Sequence, residues 1–549
     1  MALVLFAQNF VIALIPRQVS RHFLLIWVGI YALLSIGKFT LPVTDRDEAL
    51  FAQASKQMIE SHDYLAIHFQ DNFRNKKPIG IYWLQALSAR CMTKMGLAQG
   101  LNEIWAYRLP TIVAGFLAPL IFFYLFKGDG LLSERKSAFA ALLLGTSFLF
   151  VGESHIAKTD TVLLLMIILQ QGFLFRIYRG KSVESKWIYL FWSALALGIF
   201  IKGVIAPLIF LSTWLTLRLW WKEESIKLQW LKGVAIVAAV NVPWFLAVQS
   251  SSHGTFIGEA FGKDFLGKIL HGQEHHGFPP GFYTLLLPLL CWPGCLFVFS
   301  SFGTWKRSVN MPLGRFALAW LIPNWLIFEL IPTKLPHYVL PLFPALFLLT
   351  VLAAPFKERW HRVGKALFLA VSSLSIFGFL FVIFYFLENS VLFGLYAAIS
   401  CLLLFVMIKS RRFIDAPFVI GISFYLVIIS GALQHSPLWI SHHVARRLGE
   451  NCPLQSVGYR EPSLVFEVGT DVQLFKSSQQ ALENLLRDES LITLLPEQHA
   501  LEFESAFLQK RPQKQFEKVP IRGFNYTKGK YVDLVLYKVT ARGLSQAAG

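Results

Sequence analysis

The stretch Thr44–Tyr82 reads TDRDEALFAQASKQMIESHDYLAIHFQDNFRNKKPIGIY, and it decides how the rest of the chain is interpreted. Its charges form an acidic group followed by a basic group, namely Asp45, Asp47 and Glu48, then Arg74, Lys76 and Lys77. The stretch follows the first long apolar segment, and most of the remaining chain consists of apolar segments of membrane-spanning length. We therefore expect the polar chemistry of this protein in this charged loop.

The composition is that of a polytopic helical membrane protein. Of the 549 residues, 55% are hydrophobic and 15% are charged, and the mean hydropathy is +0.52, whereas soluble domains carry about 25% charged residues. The net charge of +18 does not indicate nucleic-acid binding, because many Lys and Arg residues lie in short loops, where they set membrane topology.

Hydropathy predicts about thirteen spans, in an all-α polytopic membrane fold. They lie near 23–41, 108–126, 137–152, 161–177, 187–201, 204–220, 232–249, 282–301, 314–331, 335–355, 365–387, 391–408 and 413–433. With a cytoplasmic N-terminus, the connections on the inside are all basic, at 127–136, 176–187, 221–232, 305–312, 356–365 and 409–412. This places the loop 42–107, the loops near 152–160, 202 and 250–281, and the tail outside.

The chain is expected to divide into a transmembrane domain, residues 1–434, and a small extramembrane α/β domain, residues 435–549. In the tail, Ser456–Tyr459, Ser463–Phe466 and Tyr531–Val539 read as strands, and Gln479–Arg487 has helical periodicity. Cys91 and Cys452 fall on the same predicted side, where a disulfide between them is chemically allowed.

The charged loop begins with a predicted amphipathic helix. Thr44 and Asp47 fit a loose capping box. Apolar residues such as Phe51 and Met58 share one face, and Gln53, Lys56, Gln57 and Glu60 share the other. Such a helix is expected to lie along the membrane surface.

Several charged residues outside the membrane are candidates for the site. The acids of the Asp-x-Asp-Glu cluster either favour the helix dipole or act on a substrate, and Arg46 is either their partner or a ligand for an anion. Lys77 is either a snorkelling residue or a cation for a lipid phosphate. Asp160 caps a helix or serves the site, and Lys202 interrupts an apolar run, where a charge is expensive and is usually functional.

The ordered motifs resemble the C-type glycosyltransferases that use polyprenyl-phosphate sugars. More narrowly, they are similar to bacterial lipid A aminoarabinose transferases and protein O-mannosyltransferases. The motifs are Asp47-Glu48 with Ala52-Gln53, Asp63-Tyr64 before Lys77-Pro78, Ala157–Asp160, Leu197–Gly203, Lys334–Tyr338 leading to Pro341, and Gly458-Tyr459 to Gly469.

The resemblance implies roles for individual residues. Asp47 would be the principal catalytic carboxylate and Asp160 the second acid, with Glu48 beside them. Donor-phosphate contacts would come from Lys77, Lys268, Lys334 and Tyr338, with Arg46 and Lys202 as further cations. No cofactor or metal is expected, and the histidines that the resemblance would offer to a metal are His271, His275 and His276.

The sequence departs from these relatives at two positions of the opening stretch. Leu50 stands where relatives commonly carry Arg, and Lys76 stands where they often carry Glu. Relatives can use that Glu together with loop histidines to bind a metal. The departures leave the sugar and the acceptor open.

The expected activity is transfer of a sugar, such as 4-amino-4-deoxy-L-arabinose or a hexose, from a polyprenyl-phosphate donor. The acceptor would be lipid A or another envelope glycolipid, with the site on the periplasmic side of a bacterial inner membrane. A protein O-mannosyltransferase acting on Ser or Thr, a lipid-linked sugar flippase and a non-catalytic assembly protein remain as alternatives. Convergence of Asp47, Lys77 and Asp160 on one cavity favours the enzyme.

Overall fold

The structure is a computed structural model. It describes residues 19–128, 131–180, 185–222, 226–252, 254, 256, 258, 277–353, 357–382, 437–448 and 452–541. The predicted spans 391–408 and 413–433 and the residues Lys268, His271, His275 and His276 lie outside these ranges.

Helices form most of the chain before the tail. They are α1 (Val19–Leu34), α2 (Arg46–Ser61), α3 (Gly80–Lys94), α4 (Ile104–Phe126), α5 (Glu134–Thr146), α6 (Phe148–Glu153), α7 (Asp160–Arg179), α8 (Ser185–Lys202), α9 (Ile205–Trp220), α10 (Trp230–Ser251), α11 (Phe282–Leu290), α12 (Cys295–Ser301), α13 (Trp305–Ser308), α14 (Pro312–Leu330), α15 (Phe343–Leu352) and α16 (Glu358–Val382). Short 3₁₀ helices cover Phe302–Thr304 and Pro336–Leu342, and the strands β1 (His68–Phe69) and β2 (Asn72–Phe73) form a small antiparallel pair.

Within the described residues, four helices are long and apolar enough to cross a membrane: α4, α7, α10 and α14. Other predicted spans are split into shorter helices. Ser147, which has extended backbone, separates α5 from α6, and residues 291–294 separate α11 from α12. The count of about thirteen spans stays a prediction.

The tail contains a five-stranded mixed sheet with helices on both faces. Its elements are α17 (Ile440–Leu448), β3 (Leu454–Val457), α18 (Pro462–Val468), β4 (Gln473–Phe475), α19 (Ser478–Arg487), β5 (Ile492–Pro496), a 3₁₀ turn (Glu497–His499), α20 (Ala500–Lys510), β6 (Lys514–Asn525) and β7 (Lys530–Ala541). The strand order is β4-β3-β5-β7-β6. Strand β3 is parallel to β4 and β5, and β7 is antiparallel to β5 and β6, with Leu494 opposite Leu536.

The alternation of side chains along these strands builds two apolar cores. Leu454 and Leu494 face one core, which α17 and α18 close with Val444 and Leu464. The opposite core holds Leu495 with residues of α19 and α20. Two layers of helices on one sheet satisfy the burial requirement of an α/β unit.

The expectation of a strand at Ser463–Phe466 is wrong, because these residues belong to α18. Pro462 occupies the first turn, where its missing N–H costs nothing. Leu464, Val465 and Phe466 are all fully buried, since α18 packs between α17 and α2. A short helix that is apolar on every side shows no helical periodicity, and its sequence cannot be distinguished from that of a buried strand.

Part of the polar face of the amphipathic helix α2 is buried. Gln53 is fully buried and Lys56 is 2% exposed, because the segment from Phe466 to Val472 covers that face. Lys56 donates to the backbone oxygen of Phe466 at 3.3 Å, and Gln53 donates to Thr470 at 2.7 Å. The tail therefore rests directly on the helix of the charged loop.

Candidate active site

Asp45 caps the N-terminus of α2. The sequence had instead suggested Thr44 as the capping residue. Asp45 Oδ1 accepts hydrogen bonds from the amides of Asp47, at 2.7 Å, and Glu48, at 3.1 Å. These bonds satisfy two of the free amides at the helix N-terminus. The first turn then presents Asp47 to the exterior and turns Glu48 into the protein.

Glu48 is held in a buried ion pair with Arg108, and neither side chain is exposed to solvent. Arg108 Nε and Nη2 donate to the two carboxylate oxygens at 2.8 and 3.0 Å. The remaining donors of Arg108 reach the backbone oxygens of Lys38, Leu41 and Pro42. The guanidinium thus makes five hydrogen bonds, which is its full capacity.

Glu48 also accepts from the amides of Thr44 and Ala157, at 2.9 and 2.8 Å. Burial alone would raise the pKa of Glu48, but Arg108 and these donors hold it below its usual range. Both oxygens are occupied by groups of the protein itself, which favours a role in positioning. The pair joins the end of the first span, α2, α4 and the loop that leads to Asp160.

A second group, here called the charge cluster, consists of Asp45, Glu153, Lys158, Asp160, Lys202 and His337. Asp160, at the N-terminus of α7, is 4% exposed and forms an ion pair with Lys202, at the end of α8. His337 Nε2 lies 4.0 Å from Asp160 Oδ1, and His337 Nδ1 lies 3.7 Å from Glu153 Oε1. Lys158 Nζ lies 3.9 Å from Asp45 Oδ1.

Lys158 is the central cation of this cluster. Burial would lower the pKa of its ammonium, but Glu153, Asp45 and Asp160 outweigh burial and raise it. Burial raises the pKa of Asp45, which Lys158 opposes. Burial likewise raises the pKa of Glu153 to about 7, and Glu153 Oε2 accepts no hydrogen bond among the described residues.

The Lys-Pro motif packs against the Lys202-Gly203 motif. Gly203 has a positive φ of 69°, and a Cβ there would lie 3.7 Å from Pro78. A Cβ at Gly80 would collide with the backbone oxygen of Phe200 at 2.5 Å, so this close approach requires glycine. Lys77 consequently lies near enough to His337 to act on it electrostatically.

Tyr338 lies at the same place. Its ring is 5.6 Å from Lys202 Nζ, and it makes an edge contact with the neighbouring His337 at 4.9 Å between ring centroids. The structure therefore brings Asp160, Lys202 and Tyr338 together from three separate motifs.

Other predicted residues lie apart from this group. Lys334 is 1% exposed and donates to the backbone oxygens of Glu329 and Ile331, so its ammonium caps the end of α14. Arg46 is exposed, as is Lys76. Cys91 and Cys452 are free thiols.

Sequence reasoning missed the parts played by Arg108, Glu153, Lys158 and His337. Arg108 and Glu153 stand at the edges of predicted spans, where a charge beside an apolar run is itself a signal of a buried partner. Lys158 and His337 lie inside motifs that were recognised for neighbouring residues. The roles of these four residues depend on contacts between distant parts of the chain, across 60 positions between Arg108 and Glu48 and across 177 positions between His337 and Asp160. No local pattern encodes such contacts.

Within the described part of the chain, one group of residues has the arrangement of a metal site. Ligand atoms of Glu153, Asp160 and His337 lie within 4.8 Å of one another. Two carboxylates and an imidazole suit a divalent transition metal. The ammonium of Lys202 already contacts Asp160 Oδ1, so an ion would have to displace it.

Comparisons with known proteins bear on the fold and on the class of protein that this chain resembles. A family profile described as dolichyl-phosphate-mannose-protein mannosyltransferase matches residues 76–246. The undecaprenyl phosphate-alpha-4-amino-4-deoxy-L-arabinose arabinosyl transferase of Edwardsiella ictaluri (strain 93-146) is 26% identical over 332 residues, which cover 58% of this chain and 57% of that protein. The enzyme of the same name from Yersinia pestis (strain Pestoides F) is 25% identical over 337 residues, or 58% of each chain. The chain thus spans under two thirds of the length of these relatives.

Solved structures extend the likeness of the fold to nearly the whole chain. ArnT from Cupriavidus metallidurans bound to undecaprenyl phosphate matches with a TM-score of 0.67 and 16% identity, covering 93% of this chain and 97% of that one. The archaeal oligosaccharyltransferase AglB from Archaeoglobus fulgidus matches with a TM-score of 0.52 and 10% identity, covering 96% and 75%. The resemblance that the motifs indicated is confirmed: the chain is similar in sequence to these arabinosyl transferases and similar in fold to ArnT and AglB.

Proposed function

We propose that the chain is an integral membrane glycosyltransferase that moves a sugar from a polyprenyl-phosphate donor to lipid A or another envelope glycolipid. The observation that carries the proposal is the convergence of Asp160, Lys202 and Tyr338 beside the Lys77-Pro78 motif. The names of the relatives support an undecaprenyl-phosphate aminoarabinose donor.

In the proposed reaction, an oxygen of the acceptor attacks the anomeric carbon of the sugar. The bond from this carbon to the phosphate oxygen breaks, and the electron pair leaves with the polyprenyl phosphate. Negative charge grows on the leaving phosphate, and fixed cations aimed at it lower the barrier. Lys77, which is half-buried, is our first candidate for this contact, with Tyr338 as a hydrogen-bond donor and Lys202 as a second cation.

The part played by Asp47 depends on the acceptor. A hydroxyl acceptor must lose its proton, and the exposed Asp47 would serve as the general base, a contribution of about 10²–10⁴-fold in rate. A phosphate acceptor is already ionised and needs no base, so Asp47 would then hold the acceptor or the amino group of the sugar.

Asp160 would act from within the protein. Its contact with Lys202 orients the ammonium, and its position at the N-terminus of α7 stabilises its own charge. Glu48 and Arg108 would hold α2 in place beneath Asp47, since the pair joins α2 to the loop before Asp160.

The division into a transmembrane domain, 1–434, and an extramembrane domain, 435–549, belongs to this proposal. Basic inside loops support a site on the outer face of the inner membrane. A protein acceptor is the second candidate function, because the matching profile is described by a protein mannosyltransferase activity.

Mass spectrometry of lipid A from cells with and without the gene tests the proposal. A mass difference equal to one sugar that depends on the gene supports it, and the same difference should vanish with Asp47→Asn. Unchanged lipid A together with glycopeptides that depend on the gene would instead favour the protein acceptor.

A further inference from the structure

The tail holds a cavity at the carboxyl ends of its three parallel strands. The cavity measures about 780 Å³, within the range of about 300–1,000 Å³ that is usual for small-molecule sites. Its walls include Val457 and Gly458 after β3, Lys476 after β4 and Pro496 at the end of β5.

The order of the strands makes this position significant. Strand β3 lies between the other two parallel strands. The next strand in the sequence, β4, pairs with one edge of β3, and the following strand, β5, pairs with the opposite edge. The loops after β3 and β5 therefore diverge and leave a crevice between them. In open α/β sheets, ligands bind in the crevice at such a switch point.

Backbone geometry keeps the crevice open at β3. Gly458 follows the strand with a φ of 74°, and a Cβ there would come within 3.1 Å of Pro496. A side chain at this position would meet both backbone strain and a tight contact. The turn after β3 can thus lie close to the end of β5 without filling the cavity.

The charges on the walls favour an anion. The basic groups are Lys476, Lys528 and Lys530, and the acidic groups are Glu497 and Asp533. Asp533 lies 3.5 Å from Arg522, so its charge is partly balanced. In the described part of the chain, Lys476 and Lys530 have no carboxylate within ion-pair distance.

Polar and aromatic groups extend the lining beyond what a bare phosphate needs. Ser477 caps α19 and accepts from the amide of Gln479 at 3.1 Å, and Ser477 and Ser478 both line the cavity at this helix N-terminus, where anions are favoured. Gln498 and Tyr531 also face the cavity, and such groups suit the hydroxyls and the face of a sugar ring.

The turn between β6 and β7 connects this cavity with the neighbourhood of α2. Lys528 lines the cavity and donates to the backbone oxygen of Gly458 at 3.4 Å. Two residues earlier, burial raises the pKa of Tyr526, and Tyr459 and Asp45 add to the effect. One turn therefore contacts the cavity and lies close to the N-terminus of α2.

We propose that this cavity is a binding site for a phosphorylated sugar. The phosphate would meet Lys476, Lys530 and the start of α19, and the sugar ring would lie toward Tyr531. Its source is either the headgroup of a phosphorylated glycolipid or a soluble sugar phosphate. The proposal concerns binding alone, so it stands or falls separately from the transfer activity.

Binding to the full chain in detergent or nanodiscs tests the proposal. Glucose 1-phosphate is titrated as the soluble probe, with glucose as its uncharged control, and nanodiscs containing lipid A are compared with nanodiscs containing dephosphorylated lipid A. Because charge-assisted hydrogen bonds are lost, the double variant K476Q/K530Q should weaken binding by about tenfold or more. The matched variant Lys510→Gln removes an exposed charge outside the cavity, and it should change the affinity by less than about twofold.

Every result of these titrations either supports or overturns the proposed binding site. Saturable binding of glucose 1-phosphate that K476Q/K530Q weakens supports a soluble ligand, and a response confined to phosphorylated lipid A supports the glycolipid headgroup. No binding of either probe overturns the proposal. Equal affinity of the double variant and the wild type, or of glucose and glucose 1-phosphate, overturns it as well.

Discussion

At the scale of single residues, the charges of this protein divide into supporting and exposed groups. Glu48 and Arg108 are fully buried and saturated with hydrogen bonds, whereas Asp47 is exposed one position away. The cap formed by Asp45 produces this division, because it sets which side of the first turn faces inward. Adjacent acids in one motif thus acquire different tasks.

Asp47→Asn should abolish transfer while leaving folding intact, since Asp47 is exposed and Asn keeps its shape. We expect a loss of about 100-fold or more in rate if Asp47 is the general base. The measurement is turnover by purified enzyme, with Asp71→Asn, an exposed acid of the same loop, as the control. Normal turnover by Asp47→Asn would remove Asp47 from the site.

Arg108→Lys should destabilise the protein strongly. Lysine keeps the charge but offers three donors in place of five and cannot form the bidentate contact with Glu48. We expect a cost of about 1–3 kcal/mol for each buried acceptor that is left without its donor, seen as a lower midpoint of thermal unfolding. Arg90→Lys, which changes an exposed arginine, should shift the midpoint little, and equal shifts in both variants would contradict this account.

Glu153→Gln should stabilise the protein most at alkaline pH. The pKa of Glu153 is raised to about 7 in the folded state, above its ordinary value near 4.5. Between about pH 4.5 and 7 the folded state therefore holds a proton that the unfolded state has released. The free energy of unfolding of the wild type consequently falls as the pH rises from about 4.5 to 7. The midpoint of the Gln variant relative to wild type should rise from pH 5 to pH 8, and a constant difference would show that Glu153 does not titrate in this window.

At the scale of elements, the tail and α2 form one unit. Thr470 accepts from Gln53 at 2.7 Å and donates to Glu60 at 2.6 Å, and Gln70 donates to the backbone oxygens of Thr470 and Val472. The segment from Phe466 to Val472 therefore fastens the helix that carries Asp47. Packing of α18 on α2 adds apolar contact to these bonds.

Thr470→Val tests this attachment. It keeps the volume but leaves the buried amide of Gln53 without its acceptor, which costs about 1–3 kcal/mol. We expect a lower unfolding midpoint, whereas Ser505→Ala, on the exposed side of α20, should have an effect within about 0.5 kcal/mol. An unchanged midpoint for Thr470→Val would mean that the tail does not stabilise α2.

At the scale of the whole molecule, the sequence predicted much of what the structure shows. Hydropathy located α4, α7, α10 and α14, because a helix that crosses a membrane must be long and apolar. The motifs also singled out Asp160 and Lys202, which meet although they lie 42 positions apart. A charge within an apolar run needs a partner, and that requirement can be seen in the sequence.

The features that the sequence did not predict depend on contacts between elements that are distant in the chain. The amphipathic pattern of α2 predicted a helix along the membrane surface, but it did not indicate that the tail makes polar contacts with Gln53 and Lys56 on its polar face. The strand expected at Ser463–Phe466 is α18 because burial on every side erased the helical pattern. Asp45 caps the helix in place of Thr44, because the hydroxyl of Thr44 donates its hydrogen bond to Glu48.

The most direct test of the central claim is a transfer assay with purified enzyme, a synthetic undecaprenyl-phosphate aminoarabinose donor and lipid A. We predict one molecule of undecaprenyl phosphate released for each sugar found on the acceptor, with no product from the Asp47→Asn variant. Donor that remains intact in the presence of every acceptor tested would contradict the account.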